Sequence, residues 1–369
     1  LLLIALASQF LTTAAHAEWW NKDWTARKTI TLDTSSKGVE TREPLEEVPV
    51  LVRLHTGNFQ GFFSMKEDAS DLRFTAGDDK TLIPHHVEKF DPINEIALVW
   101  VRVPKLEAAT KNTVSMYYGN PNATSADNPA GSYDAHQALV YHFETKEANA
   151  VRDQSAHGNH PTSISATINP AGFAGAGARF AGKESIAIAA SPSLQIGAQK
   201  GWTFSTWARL ESAQKDAYIV QARSADASLI LAVDGTSAYA RFTQGGRTVE
   251  TGKTRPLAPG GWNHLALTVS KDRIILFIDG EEAANAQITV ADFEPALSLG
   301  AEAGAGRHGF VCELDEVTVA GTARSAEWLK LAAKSQVAGS NLVVLGKDDG
   351  EGSGGGTSYF GSILSHVTV

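Results

Sequence analysis

Apolar and polar residues alternate with a period of two over short stretches along most of the chain, the pattern of strands half buried against a core. In the first third, RKTITL (27–32), VPVLVRL (48–54), DLRFT (71–75), EIALVWVRV (95–103) and NTVSMYY (112–118) are rich in β-branched and aromatic residues. Each is bounded by Gly, Pro, Asp or Asn, which favour turns. EIALVWVRV is nearly continuous in apolar residues, which predicts a strand covered on both faces. GNPNATSADNPAGS (119–132) then has the composition of a domain boundary. The strand texture resumes in ALVYHFE (138–144), GWTFSTWARL (201–210), AYIVQA (217–222), SLILAVDG (228–235), WNHLALTVS (262–270), RIILFIDG (273–280) and FVCELDEVTV (310–319). In WTFSTWARL, Trp202, Phe204, Thr206 and Ala208 share one face, and Ser205, Trp207 and Arg209 the other. Turn signals at Lys271-Asp272 and Asp279-Gly280 split LTVSKDRIILFIDGEEAA into three strands joined as hairpins. SAEWLKLAAKSQ (325–336) predicts a helix, with Ser325 as N-cap and Trp328, Leu331, Ala332 and Ser335 on one stripe.

Composition sets the scale. With 369 residues, 43% of them hydrophobic, the chain has room for about two domains with real cores. A formal net charge of -9 offers no basic field for a phosphate backbone, so nucleic acid is not an expected partner. Leu1 to Phe10 is an apolar run, and Ala15-His16-Ala17 has the small-x-small form of a signal peptidase site. Residues 1–17 therefore read as a signal peptide and Glu18 as the mature start. No stretch of 18 consecutive apolar residues clearly spans a bilayer. The lone Cys312 cannot form an internal disulfide and is expected in a core, where a thiol acts as a small apolar group. Trp202, Trp207 and Trp262 sit in strand patterns and are assigned to cores as well.

The segments GWTFSTWARL, GGWNHLALTVSKDRIILFIDGEEAA and GFVCELDEVTVAGTARSAEWLKLAA, in that order, resemble the laminin-G-like, concanavalin-A-like jelly roll over roughly residues 135–336. Members of that family bind glycans, proteins or lipids, so the resemblance implies fold more firmly than function. WWNKDWTARKTI (19–30), VPVLVRLHTGNF (48–59), DLRF (71–74), HHVEKFD (85–91), VWVRVP (99–104) and YYGNP (117–121) resemble a bacterial β-domain of unknown function that often precedes such a jelly roll. The whole order is similar to the periplasmic front half of large proteins in the MotA/TolQ/ExbB proton-channel family. That resemblance implies a periplasmic module anchored to the inner membrane through a channel oligomer, with an ExbD/TolR-like protein as partner. The expected layout is a signal peptide at 1–17, an N-terminal β-sandwich at 18–125, a jelly roll at 135–340, and a glycine-rich tether with a membrane lead-in at 341–369. Residues 346–356 hold six glycines and no hydrophobic residue and are expected to be flexible coil.

Nucleotide and protease motifs are missing. GKDDGEGSGGG lacks the strand–turn–helix context and the GK[ST] ending of a phosphate loop, and neither GxSxG nor HExxH occurs. His85 and His86, adjacent on a strand, point to opposite faces and cannot chelate one ion together. ELDEV (313–317) draws attention because laminarinase-like glycosidases on this architecture carry a Glu-x-Asp-x-Glu or Glu-x-Asp-x-x-Glu strand facing the sugar cleft. Glu313 and Asp315 match the nucleophile and helper positions, but Val317 and Thr318 stand where the acid belongs. Retaining hydrolysis needs two carboxyls roughly 5 Å apart. Glu316 on an alternating strand points the other way, so no catalytic residue is assigned. Calcium is the candidate cofactor, with Asp153 in DQSAHGNH and Asp315 as ligands. The alternative is an Asx-turn at Asp153 and a solvated carboxylate at Asp315. Trp19, Trp20 and Trp24 are candidate ligand-binding residues as a stacking platform for sugar, against the alternative that they pin the first strand onto its own sandwich. The residues thus predict an all-β, non-enzymatic chain of two sandwiches, the second a jelly roll. Its expected role is to bind a glycan or envelope protein for an attached channel. The competing reading is a free secreted carbohydrate-binding protein.

Overall fold

The computed structural model describes residues 19–144, 151–302 and 304–350. The expected signal peptide, and the lead-in beyond residue 350, lie outside the described residues. Each stretch that alternation marks as a strand contains one, the described residues add others it did not mark, such as Gly177–Ala181, Ile186–Ile188 and Ser237–Gln244, and together they form four sheets. In the first sandwich, a three-stranded sheet runs Leu45–His55, Ile96–Leu106, His85–Asp91. It faces a five-stranded sheet ordered Val343–Gly350, Ala26–Asp33, Lys111–Tyr118, Arg73–Thr75, Leu82–Ile83. Val48, Val50, Val52 and Leu54 from one sheet interleave with Ile30, Leu32, Val114 and Met116 from the other.

The second sandwich is larger. Its eight-stranded sheet has Val311–Ala320 beside Trp202–Leu210, followed by the hairpin strands Trp262–Val269, Arg273–Ile278 and Glu281–Gln287. Gln137–Tyr141 pairs with the second half of Val311–Ala320 and Gly177–Ala181 with the first. The opposing seven-stranded sheet is centred on Gln214–Arg223, Ala227–Gly235 and Ser237–Gln244. Trp202, Phe204, Ala208 and Leu210 point inward with Leu229, Leu231, Val233, Leu265 and Leu267. Cys312 lies in the same core, where burial pushes its thiol pKa up. Trp207 is buried on the outward side of this sheet and Trp262 is half-buried at its margin, so only Trp202 of the three lies in the sandwich core.

The helix Ala326–Gln336 is capped by Ser325, whose hydroxyl accepts from the Trp328 amide at 3.2 Å. It is a wedge between the sandwiches. Leu331 and Ala332 join the core of the first, while Leu329 packs on Ala266 and Phe277 on the outward face of the eight-stranded sheet. Burying a leucine in this way is worth about 1.5–3 kcal/mol. The outer face of the three-stranded sheet, with Leu51, Leu98 and Trp100, closes onto Phe173 and Ala174 of the jelly roll. Ile96–Leu106 is thereby covered on both faces.

One expectation needs correction. Residues 346–350, expected to open a coil, complete the strand Val343–Gly350, which pairs antiparallel with Ala26–Asp33. The apolar residues just upstream explain this, because Leu342 is in the first sandwich's core and Val343 and Leu345 pack against it. Residues 351–356 lie outside the described residues. The turn-rich segment after residue 119 is also strapped down: the Val87 amide donates to Asp127 Oδ1 at 2.7 Å, and the Asn128 amide to the His85 carbonyl at 2.9 Å. No helix of the described residues is long and apolar enough to cross a membrane.

Candidate functional site

The eight-stranded sheet turns one face outward, and on it stand Trp207, Arg209, His264 and Glu313. Strict alternation would send Glu316 to the other side. Instead the register shifts between Ser205 and Trp207, which oppose Thr318 and Asp315. The shift is a β-bulge with Glu316 at φ 51°, and such a bulge re-aims a side chain. Asp315 and Glu316 therefore both face outward, correcting the expectation for Glu316, while Val317 returns to the core. Asp315 is not solvated either. At 0% exposure it accepts the Phe173 and Ala174 amides, both at 2.8 Å. Glu313 is held by Arg209 and by Asn169. Around Asp315 and Glu316 this face is sealed beneath Phe173, Ala174 and the first sandwich.

Under that seal lies a group that alternation did not reveal. The strand His85–Asp91 is bulged between Val87 and Lys89, so Glu88 turns toward the jelly roll. His142 follows Gln137–Tyr141, with Phe143 at φ 60° just after it. Its Nδ1 lies 2.9 Å from Glu316 Oε2 and 3.7 Å from Glu88 Oε2, and its Nε2 is 2.7 Å from Tyr133 Oη. Trp100 stacks on the imidazole with ring centroids 5.0 Å apart and donates its indole N–H to Glu88 Oε2 at 2.7 Å. Arg53 sits nearby, donating to the carbonyls of Gln336 and Phe173. Burial raises the pKa values of Glu88, Asp315 and Glu316 well above the carboxylate range, and Glu316 adds to the rise at the other two. Burial lowers that of His142. His86 stacks on His142 while His85 rests on Phe74, so the adjacent pair does diverge.

The residues singled out for calcium and for stacking are placed differently. Asp153 accepts the amides of Val140, Ser155 and Asn159 at 2.8–2.9 Å, an Asx-turn that pins the loop after Gln137–Tyr141. Asp315 instead accepts the Phe173 and Ala174 amides, so each carboxylate is engaged by backbone amides of its own loop contacts. Trp24 is buried and donates to the Asp71 carbonyl at 2.6 Å. Trp19 and Trp20, half-buried, meet Tyr117 edge-on at 5.5 and 5.7 Å. All three anchor the entry of the first strand, with Arg27 over Trp19 and Arg73 over Trp24.

The seven-stranded sheet has a solvent-facing outer side, and it carries a cleft of about 230 Å³. Lys215, Asp216, Asp234, Tyr239, Arg241, Glu250, Thr251 and Lys253 line it. A bulge between Gln214 and Ala217 puts Asp216 at φ 44°. Asp216 accepts a hydrogen bond from the Tyr239 hydroxyl and lies 3.1 Å from His308 Nδ1. Arg241 donates to Tyr239 Oη at 3.0 Å and to Glu250 at 2.6 Å. Burial, then the bond to Asp216, raises the pKa of Tyr239, so it stays a neutral phenol. Lys253 and Lys215 lower that of Asp234. Beside the cleft, His308 stacks parallel on Tyr218 at 4.2 Å, and Glu302 joins Arg223 to Arg307. The loops at 221–228 and 300–309 thus meet at one rim.

Residues 180–330 match the concanavalin A-like lectin/glucanases superfamily. The larger sandwich is a concanavalin A-like jelly roll. Residues 68–156 match a domain of unknown function, DUF2341, and that match runs from the first sandwich into the first strand of the jelly roll. No curated protein sequence matches the chain. Among solved structures, the binding domain of Paraclostridial Mosquitocidal Protein 1 is similar over 54% of this chain and 52% of its own, at 14% identity and a TM-score of 0.46. The botulinum neurotoxin serotype G binding domain is similar over 53% and 50%, at 9% identity and a TM-score of 0.44. Domain 4 of an extracellular arabinanase from Geobacillus stearothermophilus, in complex with arabinotriose, is similar over 53% of this chain and 98% of its own. Its identity is 16% and its TM-score 0.43. The chain spans about half the length of the two toxin domains.

Proposed function

We propose that the chain is a non-enzymatic recognition module whose jelly roll binds a neutral glycan in the cleft floored by Tyr239. The observation that carries this reading is the composition of the cleft. Three cations, Lys215, Arg241 and Lys253, are matched there by three anions, Asp216, Asp234 and Glu250. A balanced set selects against neither sign of ligand charge, and its fixed donors and acceptors suit the hydroxyls of a sugar better than a phosphate or an ammonium group. Tyr239 is buried under Arg241 and forms the floor of the cleft rather than an open stacking face. Catalysis has little support: Glu313 is neutralised by Arg209, and Val317 takes the place of the missing acid inside the core. The setting is a second part of the proposal. The residue order resembles a module on the periplasmic side of a TolQ/ExbB-like channel, and a free lectin-like protein would use the same cleft.

Calorimetry of the full chain against neutral cell-envelope and plant oligosaccharides tests the reading. Binding that weakens tenfold or more in Arg241→Ala, and is unchanged in Glu313→Gln, is the expected result. Failure of every neutral glycan to bind, or hydrolysis of β-glucan abolished by Glu313→Gln, would overturn it. Recovery of the full-length gene product with the inner membrane, together with an ExbD/TolR-like protein, is expected for the channel setting. Wholly soluble product favours the free protein.

A further inference from the structure

Glu88, His142 and Glu316 converge from both sandwiches on one buried point, and one ligand atom from each lies within 4.8 Å of the others. Two observations separate this centre from an ordinary acidic cluster. Glu88, only 4% exposed and reaching across the domain boundary, has its Oε1 without a hydrogen-bond partner among the described residues. The other oxygen of that carboxylate, Oε2, lies 3.7 Å from His142 Nδ1, and the group is closed to solvent, His142 and Glu316 being 2% and 3% exposed.

We propose that these three residues form a binding site for one divalent transition-metal ion, Zn2+ being the ion the donors suit best, which clamps the first sandwich to the jelly roll. One imidazole and two carboxylates are a borderline-to-hard set of the kind zinc accepts with a fourth position left for water. Tetrahedral zinc with bonds of roughly 2.0–2.2 Å holds its ligand atoms about 3.3 Å apart. The separations of 2.9 Å from His142 Nδ1 to Glu316 and 3.7 Å to Glu88 bracket that value. The supporting contacts also fit. Tyr133 at 2.7 Å from Nε2 can hold the proton on that nitrogen and free Nδ1 for the ion, and the Trp100 indole orients the Glu88 carboxylate. The guanidinium of Arg53 lies in the same region as Glu88, Asp315 and Glu316. The two bulges that aim Glu88 and Glu316 inward are the backbone features on which the site depends.

The full chain, stripped with chelator and titrated with zinc chloride by calorimetry, is expected to bind one equivalent, confirmed by elemental analysis, with a higher thermal midpoint. Glu88→Gln and Glu316→Gln keep the shape and remove the charge, and each should weaken binding at least tenfold. His157→Ala, on an exposed loop, should leave it unchanged. No zinc uptake by the stripped protein, or equal affinity in both glutamine variants, would overturn the proposal. Should both variants fail to fold, the visible spectrum of the cobalt-loaded protein decides: intense tetrahedral bands support the site, and an octahedral or absent signal sinks it.

Discussion

Trp207, His264, Asp315 and Glu316 stand on the outward face of one sheet of the jelly roll, and Tyr218, Arg223, Tyr239 and Arg241 on that of the other. The residue types are comparable, but the first face is roofed by the first sandwich and the helix Ala326–Gln336, whereas the second meets water through its charged side chains, with Tyr218 and Tyr239 buried beneath them. Under the roof, carboxylates are driven toward their protonated forms and histidines toward neutrality. In the open, each acid of the cleft has a cation beside it, and Asp234 is held below its ordinary pKa. What differs is the dielectric surroundings, not the side chains. A charged group costs several kcal/mol to bury and far less to leave at a surface.

Removing the roof should have the largest effect. Trp100 fills the contact between sandwiches, stacks on His142 and donates to Glu88. Trp100→Ala opens a large cavity and strips a buried acid of its donor, so a loss of about 3–5 kcal/mol is expected. Urea unfolding measures it. A loss below about 1 kcal/mol would mean the two faces do not differ as described.

A smaller effect comes from His264 on the roofed face. Burial holds its pKa at about 4, against Asp279, which raises it, and with Lys334, which lowers it further. As pH falls below the ordinary histidine value of about 6.5, the unfolded chain takes a proton that the folded chain refuses until about 4. Stability therefore falls as pH falls through this window, by at most about 3 kcal/mol. Glu88, Asp315 and Glu316, with raised pKa values, act in the opposite sense, so the comparison must be made between variants. His264→Phe should be flatter than the parent between pH 6.5 and 4, and an unchanged slope difference would show that this face is wetter than its packing implies.

Much of this contrast was hidden from the sequence, for reasons the residues make plain. Period-two alternation depends on one strand and its neighbours, so WTFSTWARL and the hairpins around Lys271-Asp272 and Asp279-Gly280 were legible. EIALVWVRV announced cover on both faces without naming the second cover, because the partner comes from residues 173–174 and from the helix far along the chain. The bulges at Glu88 and Glu316 break alternation by one residue, and nothing in HHVEKFD or ELDEV marks the break. Reading the latter strictly sent Glu316 to the wrong side and hid its meeting with His142. The last strand was obscured by the glycines that follow it, although Leu342, Val343 and Leu345 carried the signal. In the open cleft, the turn position of Asp216 and the pairing of distant loops were likewise set by tertiary register.

The smallest effect should come from the rim of the open face. Glu302 accepts from Arg223 at 2.8 Å and from Arg307 at 2.8 Å, so it tethers the loops at 221–228 and 300–309. The side chains of Arg223 and Arg307 are 59% and 70% exposed, which places both guanidinium groups in high-dielectric surroundings. Water competes for each of these bonds, ordering two long side chains costs entropy, and salt screens what remains. Arg223→Gln is therefore expected to cost between about 0 and 1 kcal/mol in urea unfolding at low ionic strength, and less at 1 M salt where the screening length is roughly 3 Å. The same substitution should slow glycan association only modestly, because the rim sits beside the cleft floor formed by Tyr239. A loss comparable to that of Trp100→Ala, insensitive to salt, would mean that the rim is desolvated like the roofed face, and the contrast between the two faces would fail at its most exposed point.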